Sequence, residues 1–283
     1  MTDIDANLKN KMDNLSVVLR EAAPLAIAVS GGVDSLTLAS FAQRTLGSGV
    51  TTMIHASSPA VPADALQRIR ELAEPGGWDL RIVNAGEFAD ERYRSNPVDR
   101  CFFCKTNLYR TLRALHDGTI ASGTNTDDLG DYRPGLSAAQ DFEVRHPFVE
   151  AVLCKADVRA LSKAIGLDHI AELPASPCLS SRIETGIRIN RGDLGLVDQV
   201  ETWMRRQFQF ETVRCRIRPG GVIIEVDAES LNRLNAADSL LLRAALRKQF
   251  DTLIDRHLTF APYRRGSSFI GKPDRKASGS NAQ

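Results

Sequence analysis

The 283-residue chain is predicted to fold as an α/β domain with a doubly wound parallel sheet, followed by a smaller C-terminal α+β domain. Three observations predict it. Up to about residue 180, short apolar runs alternate with amphipathic helical stretches, the texture of repeated strand–helix units. The first run, Leu25-Ala26-Ile27-Ala28-Val29, is apolar at every position, as a strand buried on both faces requires. After about Arg188 the pattern changes, and Pro219-Gly220-Gly221 separates two β-rich segments as a hairpin turn would.

Taken in order, Leu25 to Val29 is the first strand, and Leu36, Leu38, Ala39, Phe41 and Ala42 recur at helical spacing behind it. Val50 to His55 is the second strand, Asp64 to Ala73 a helix, and Leu80 to Val83 the third strand. Asn107 to Leu115 is helical and Thr119 to Ala121 is the fourth strand. Ala156 to Ile165 is a further helix, stopped by Gly166. In the second part, Leu194 to Phe208 is helical, and Val213 to Ile217 pairs with Val222 to Val226. A helix from Ala228 to about Phe250 and a candidate strand at His257 to Phe260 complete it. The expected divisions are 1–187, 188–271 and a disordered tail at 272–283 rich in Pro, Lys, Ser, Gly and Asn.

With 43% hydrophobic and 25% charged residues the chain can bury a sizeable core, which excludes disorder as its main state. No apolar run approaches the roughly 18–20 residues of a membrane helix. Met1-Thr2-Asp3 has neither the basic flank nor the apolar core of a signal peptide. Five cysteines without an export signal point to a reducing cytoplasm, where thiols more often serve metals or catalysis than disulfides. The net charge of +1 divides into −5 over residues 1–180 and +6 over 181–283, so the second part suits an anionic ligand or a solvated basic surface.

Ser30-Gly31-Gly32-Val33-Asp34-Ser35 lies between the first strand and the first helix. Glycines there permit a tight turn and close backbone approach, and the helix N-terminus offers unpaired N–H groups and a positive dipole end to phosphate. Ser30 and Ser35 add hydroxyl donors, while Asp34 can hold magnesium or cap the helix. The bland alternative is a glycine turn with an Asp/Ser cap. No Gly-Lys-Ser/Thr closes the motif, so it is not a Walker A loop. It resembles the SGGxDS loop of the PP-loop ATP pyrophosphatases, which implies attack on the α-phosphate of ATP with pyrophosphate leaving.

Cys101-Phe102-Phe103-Cys104 is a CxxC, and Cys178 follows 74 positions later. Three thiolates make an incomplete cage for a four-iron cluster, and the open iron can then bind a sulfide or a substrate atom. Zinc completed by a histidine such as His146, or Cys178 as a lone nucleophile, are open alternatives. Cys154 and Cys215 read as small apolar residues.

Together these segments resemble the LarE family of ATP-dependent sulfur transferases over most of residues 20–270. The resemblance rests on Ser30 to Ser35, Asn96 to Lys105, Gly123 to Gly135 with its acidic loop ending Tyr132-Arg133-Pro134-Gly135, Lys155 to Leu161, Cys178 to Arg182 and Val213 to Arg216. It implies adenylation of a carboxylate of pyridinium-3,5-biscarboxylic acid mononucleotide and replacement of oxygen by sulfur, in making the nickel-pincer nucleotide cofactor. One branch of the family sacrifices the sulfur of the cysteine matching Cys178. The other, which like this chain carries the CxxC, holds a [4Fe-4S] cluster on three cysteines, here Cys101, Cys104 and Cys178.

The resemblance further implies that Ser30, Gly31, Gly32, Val33, Asp34 and Ser35 bind ATP phosphates with Mg2+, and that Asp34, Ser35 and Cys178 are catalytic. Ala28 and Ser57 flank adenosine, Gly123 and Asn125 line the same crevice, and Asp127 is a candidate magnesium contact. Arg182, Glu201, Arg214 and Arg216 match substrate residues, the last two gripping its phosphate. A solvated strand edge is the plainer account of these arginines. The chain departs from the family at Ile183-Glu184-Thr185-Gly186, where an apolar residue, Pro, Tyr and Gly are typical, so another carboxylate or nucleotide stays open as acceptor. A small-molecule nucleotide partner, an unassigned sulfide donor and a homo-oligomer are implied. A tRNA-thiolating relative would call for a strongly basic face, a nucleotide-binding module with structural zinc would bind ATP without cleaving it, and a PP-loop amidotransferase would carry a glutaminase domain.

Overall fold

The computed structural model describes residues 5–130, 134–208, 210, 212–233 and 236–270. The expected disordered tail and Tyr132-Arg133 lie outside the described residues. Two compact units form: one joins the chain up to Arg94 with Asp99–Cys178, and the other joins Ser95–Val98 with the chain from Leu179 onward.

The first unit runs α1 (Ala6–Ala22), β1 (Leu25–Ala28), α2 (Val33–Leu46), β2 (Thr51–Ala56), α3 (Ala63–Gly76), β3 (Asp79–Val83), α4 (Glu91–Arg94), α5 (Arg100–Leu115), β4 (Thr119–Ser122), α6 (Pro134–Asp141), α7 (Pro147–Glu150), α8 (Lys155–Ala164) and α9 (Asp168–Ala171). Its four strands are all parallel in the order β3-β2-β1-β4. Burial on both faces explains the unbroken apolar run of β1. Leu25 and Ile27 enter one core with Leu15, Leu19 and Leu36, while Ala26 enters the other with Ile54, Tyr109, Leu112 and Ile120. The chain winds from β1 outward to β3 and then returns to the far side of β1 as β4, so the winding reverses between β1 and β4. Ligands of doubly wound sheets collect beyond the strand ends at such a reversal. Ala28 is level with both Ile54 and Ser122, so the strand ends that bound this crevice align.

Helix α1 and the start of α5 differ from expectation, and the short helices α4, α6, α7 and α9 fall where no element is expected. Helix α1 precedes the first strand. Leu8, Met12, Leu15, Leu19 and Ala22 fall at three- and four-residue spacing, and Asp5 caps the helix by accepting from the Asn7 N–H. Helix α5 starts at Arg100 rather than near Asn107, with the Phe102 N–H donating to the Asp99 carbonyl at 2.8 Å. The CxxC therefore occupies the first turn of a helix.

In the second unit, α10 (Arg191–Phe208) precedes the antiparallel pair β5 (Val213–Arg218) and β6 (Gly221–Val226), and β7 (Leu258–Pro262) adds parallel to β6. The hairpin turns at Pro219-Gly220 as expected. Between β6 and β7, within the span expected as one helix, the described helical residues are α11 (Ala228–Arg233) and α12 (Ala236–Gln249); Leu234 and Asn235 fall outside the described residues. Asn96, with φ +56°, belongs to this unit. Its side-chain amide donates to the carbonyls of Ile183, Glu184 and Ile187, and its carbonyl accepts from the Gly186 N–H. No helix among the described residues is long and apolar enough to cross a membrane.

Candidate active site

The Ser30–Ser35 segment occupies the β1–α2 turn at the reversal of the sheet. Gly31 sits at φ +80°, and a Cβ there would meet the Ala65 carbonyl oxygen and Cβ at 2.8 Å, so α3 leaves room for glycine alone. The loop is tied internally. The Ser35 hydroxyl accepts from the Ser30 N–H at 3.0 Å and donates to the Gly32 carbonyl at 3.1 Å. Arg68 on α3 donates to the Gly31 carbonyl at 3.1 Å while pairing with Asp64 at 2.7 Å. From β2, buried His55 holds the Val29 carbonyl through Nδ1 at 2.9 Å, and burial lowers its pKa so that the ring stays neutral. His55 and Arg68 have no local motif; only the assembled sheet brings them to the loop.

Asp34 opens α2 and is held from two sides. Asn125 Nδ2 donates to Oδ1 at 3.1 Å, and Lys155 Nζ pairs with Oδ2 at 2.6 Å. Gly123, just past β4, packs so closely that a Cβ would lie 2.8 Å from the backbone of Asp34 and Ser35. Gly123 and Asn125 thus converge on the loop. Asp127 accepts from the Lys155 N–H at 3.2 Å, so one of its carboxylate oxygens serves the start of α8. Ala28 is half-buried at the end of β1 and Ser57 is exposed just past β2, where its N–H donates to the Val83 carbonyl.

Cys101 and Cys104 stand one turn apart on α5, both half-buried, and Cys178 is exposed. The Cys104 thiol is pushed up to about 12 by burial first and then by the negative charge of Cys178, with Glu87 and Cys101 adding and Lys105 opposing. Lys105, 5.7 Å from the Tyr109 ring, is raised first by Tyr109 and then by Cys104, Cys101 and Cys178. Cys178, 74 positions on in sequence, therefore lies within electrostatic reach of Cys104, and Lys105 is a cation within reach of all three cysteines. Among the described residues, no three His, Cys, Asp or Glu side chains are gathered so as to hold a metal ion. In a cubane the protein thiolates bind separate iron atoms, so they need not close on one point. Three cysteine sulfurs are a soft donor set of the kind such clusters use. His146 is engaged elsewhere, its Nδ1 2.9 Å from the Ser122 hydroxyl, and burial lowers its pKa.

The CxxC helix is itself anchored. Asp90 accepts from Asn107 Nδ2 at 2.8 Å and from the Arg92 N–H and guanidinium, and these contacts, Arg92 foremost, pull its carboxyl from 3.8 to about 2. A carboxyl depressed in the folded state contributes stability above its unfolded pKa and loses it as pH falls through the folded value. The wild type is therefore expected to lose more stability between about pH 4 and 2 than Asp90→Asn. Thermal melts at pH 5, 4, 3 and 2.5 check this, and parallel curves for the two proteins would refute it.

In the second unit, Arg182 and Glu201 form a buried two-pronged pair, Nε to Oε1 and Nη2 to Oε2, both at 2.9 Å. Glu201 also accepts from the Cys215 N–H at 3.0 Å. Arg216, likewise buried, pairs with Glu225 at 3.0 Å and donates to the carbonyls of Ser181 and Arg264 at 3.0 and 3.4 Å. A solvated strand edge does not describe it. Arg214 is half-buried, with its guanidinium 5.7 Å from the Tyr263 ring. Its pKa is lowered by burial first, then by the like charges of Arg182 and, more weakly, Arg216. Three guanidiniums thus share one neighbourhood with two carboxylates, Glu201 partly offsetting the like charges on Arg214. The Arg–Glu pairings carry no sequence signal beyond the strand alternation of 214 and 216.

No family model matches the chain. An uncharacterized protein of Synechocystis is 36% identical over 230 residues, covering 80% of this chain and 85% of that relative. The pyridinium-3,5-bisthiocarboxylic acid mononucleotide synthase of Lactiplantibacillus plantarum is 28% identical over 258 residues, 90% and 91% of the two chains. An uncharacterized protein of Methanocaldococcus jannaschii is 24% identical over 239 residues, 83% and 87%. Each alignment covers at least 80% of this chain and 85% of the relative, and on them the chain belongs to the LarE family.

Proposed function

We propose that the protein is an ATP-dependent sulfur transferase that adenylates a carboxylate of a pyridinium dicarboxylate mononucleotide and replaces an oxygen by sulfur. The carrying observation is that Cys178 meets Cys104 and Lys105 electrostatically in the same unit that holds the Ser30–Ser35 loop at the reversal of its sheet. The name of the Lactiplantibacillus relative supplies the acceptor class.

In this reading the α2 N-terminus and the hydroxyls of Ser30 and Ser35 hold the β- and γ-phosphates, and Asp34 carries Mg2+ for the leaving group. An acceptor carboxylate oxygen attacks the α-phosphorus, the bond to the β-bridging oxygen breaks, and pyrophosphate departs. Sulfur then adds to the acyl carbon and AMP leaves, giving a thiocarboxylate. Cys101, Cys104 and Cys178 would hold a [4Fe-4S] cluster, which would supply the transferable sulfide. Lys105 offsets the thiolate charge beside it, and Arg214 and Arg216 take the substrate phosphate.

The test is anaerobic purification, iron and sulfide assay, and addition of ATP with pyridinium-3,5-biscarboxylic acid mononucleotide. Brown protein and acceptor-dependent pyrophosphate release are expected. Cys101→Ala is expected to lose the iron while keeping ATP affinity within about threefold, because α5 and the phosphate loop are held by separate contacts. Unchanged iron content in that variant rejects the cluster assignment, and zinc without nucleotide cleavage rejects the transferase.

A further inference from the structure

The Lys155–Asp34 pair joins positions 121 residues apart, and the reaction scheme above leaves it unused. We propose that Lys155 is a positioning residue of the nucleotide crevice. Its ammonium occupies the metal-binding oxygen of Asp34 when no nucleotide is bound, and shifts to the phosphates when a divalent cation takes that oxygen. This deepens the reading of Ser30–Ser35 as an ATP phosphate loop and rests on it.

The two carboxylate oxygens of Asp34 have unlike partners. Oδ1 faces Asn125, whose buried amide group is fixed in turn, its backbone N–H donating to Asp128 at 3.1 Å and its Oδ1 accepting from the Asp127 N–H at 3.1 Å. Oδ2 faces an ammonium on a flexible four-carbon stem. Its partner is partly exposed, with side-chain exposures of 33% for Lys155 and 27% for Asp34, so the pair is weakly held and readily exchanged.

The base of the lysine, by contrast, is rigid. Its N–H donates to Asp127, and the preceding turn is closed by the reciprocal cap of Cys154 and Asp157. A fixed backbone with a movable charge delivers that charge to one small region. Hard divalent cations seek carboxylate oxygen, so the metal and the ammonium compete for Oδ2. The displaced ammonium then stands beside the α2 N-terminus, where a polyanion concentrates its charge. A plain tether between α2 and α8 is the rival account, and it predicts an effect on stability alone.

Full-length wild type, Lys155→Ala and Lys155→Arg separate the two, with Lys155→Met keeping the stem if the alanine variant folds poorly. Mn2+ binding without nucleotide is read by water-proton relaxation, ATP binding in EDTA by calorimetry, and stability by melting. Lys155→Ala is expected to bind Mn2+ about tenfold more tightly and metal-free ATP about tenfold more weakly, the worth of one charge-assisted hydrogen bond. Lys155→Arg is expected to recover most of the ATP affinity. A lower melting temperature with Mn2+ affinity unchanged overturns the exchange and leaves the tether. Wild type that binds no ATP overturns the phosphate-loop reading instead, a result distinct from the first.

Discussion

Glu201→Gln is expected to destabilise the second unit by about 3–5 kcal/mol, because it leaves the Arg182 guanidinium buried without its counter-charge. Arg182 is 2% and Glu201 1% exposed, so solvent cannot make good the loss. The glutamine keeps the shape and one oxygen acceptor, which must then choose between Arg182 and the Cys215 N–H, both now served by Oε1. Arg205, 3.6 Å from the same carboxylate, loses a partner as well. The double change Arg182→Met with Glu201→Leu is expected to cost far less, since two well-packed apolar chains need no compensation. Trp203 on α10, flanked by the rings of Phe208 and Phe250, reports unfolding of this unit once Trp78 of the first unit is replaced by Phe. A loss below about 1 kcal/mol in urea unfolding would mean the pair is wetter than it looks.

Cys178→Ser is expected to lower thiocarboxylate formation by on the order of a thousandfold or more while leaving ATP-dependent pyrophosphate release within a few-fold. The split follows from location. Cys178 is exposed and in the electrostatic field of Cys104, whereas the phosphate loop is held by Ser35, Arg68, His55 and Asn125. Removing an exposed sulfur opens no cavity, so stability is expected to stay within about 0.5 kcal/mol. Single-turnover product analysis by mass spectrometry beside a pyrophosphate assay makes the measurement. Thio product at the wild-type rate, or pyrophosphate release lost together with it, would end the role assigned to this cysteine.

The parts of this protein that announce themselves in one dimension are those whose causes are local. An apolar run buried on two faces, a glycine at φ +80° between strand and helix, and a Pro-Gly turn between β-rich segments all read directly. Helix starts were harder to place. Helix α5 begins at Arg100, seven residues before Asn107, since the Asp99 carbonyl closes the first turn although the polar and cysteine residues there break the apolar spacing. Tertiary partners were invisible. Nothing near Asp34 points to Lys155, nothing near Arg182 points to Glu201, and the neutral His55 that holds Val29 alternates on a strand like any core residue. Resemblance, not spacing, drew Cys178 toward the CxxC.

The four residues Ser95–Val98 give the polypeptide a stitched character. Because they are sewn into the second unit while both flanking segments belong to the first, the backbone passes between the units three times. No single cut yields two independent halves. A fragment ending at Cys178 would strand the Asn96 amide, held at φ +56° by three carbonyls of Ile183, Glu184 and Ile187, and the complementary fragment would lose that clasp. The helix bearing Cys101 and Cys104 begins two residues after the stitch, so dissecting the chain there would fray the very turn that displays them.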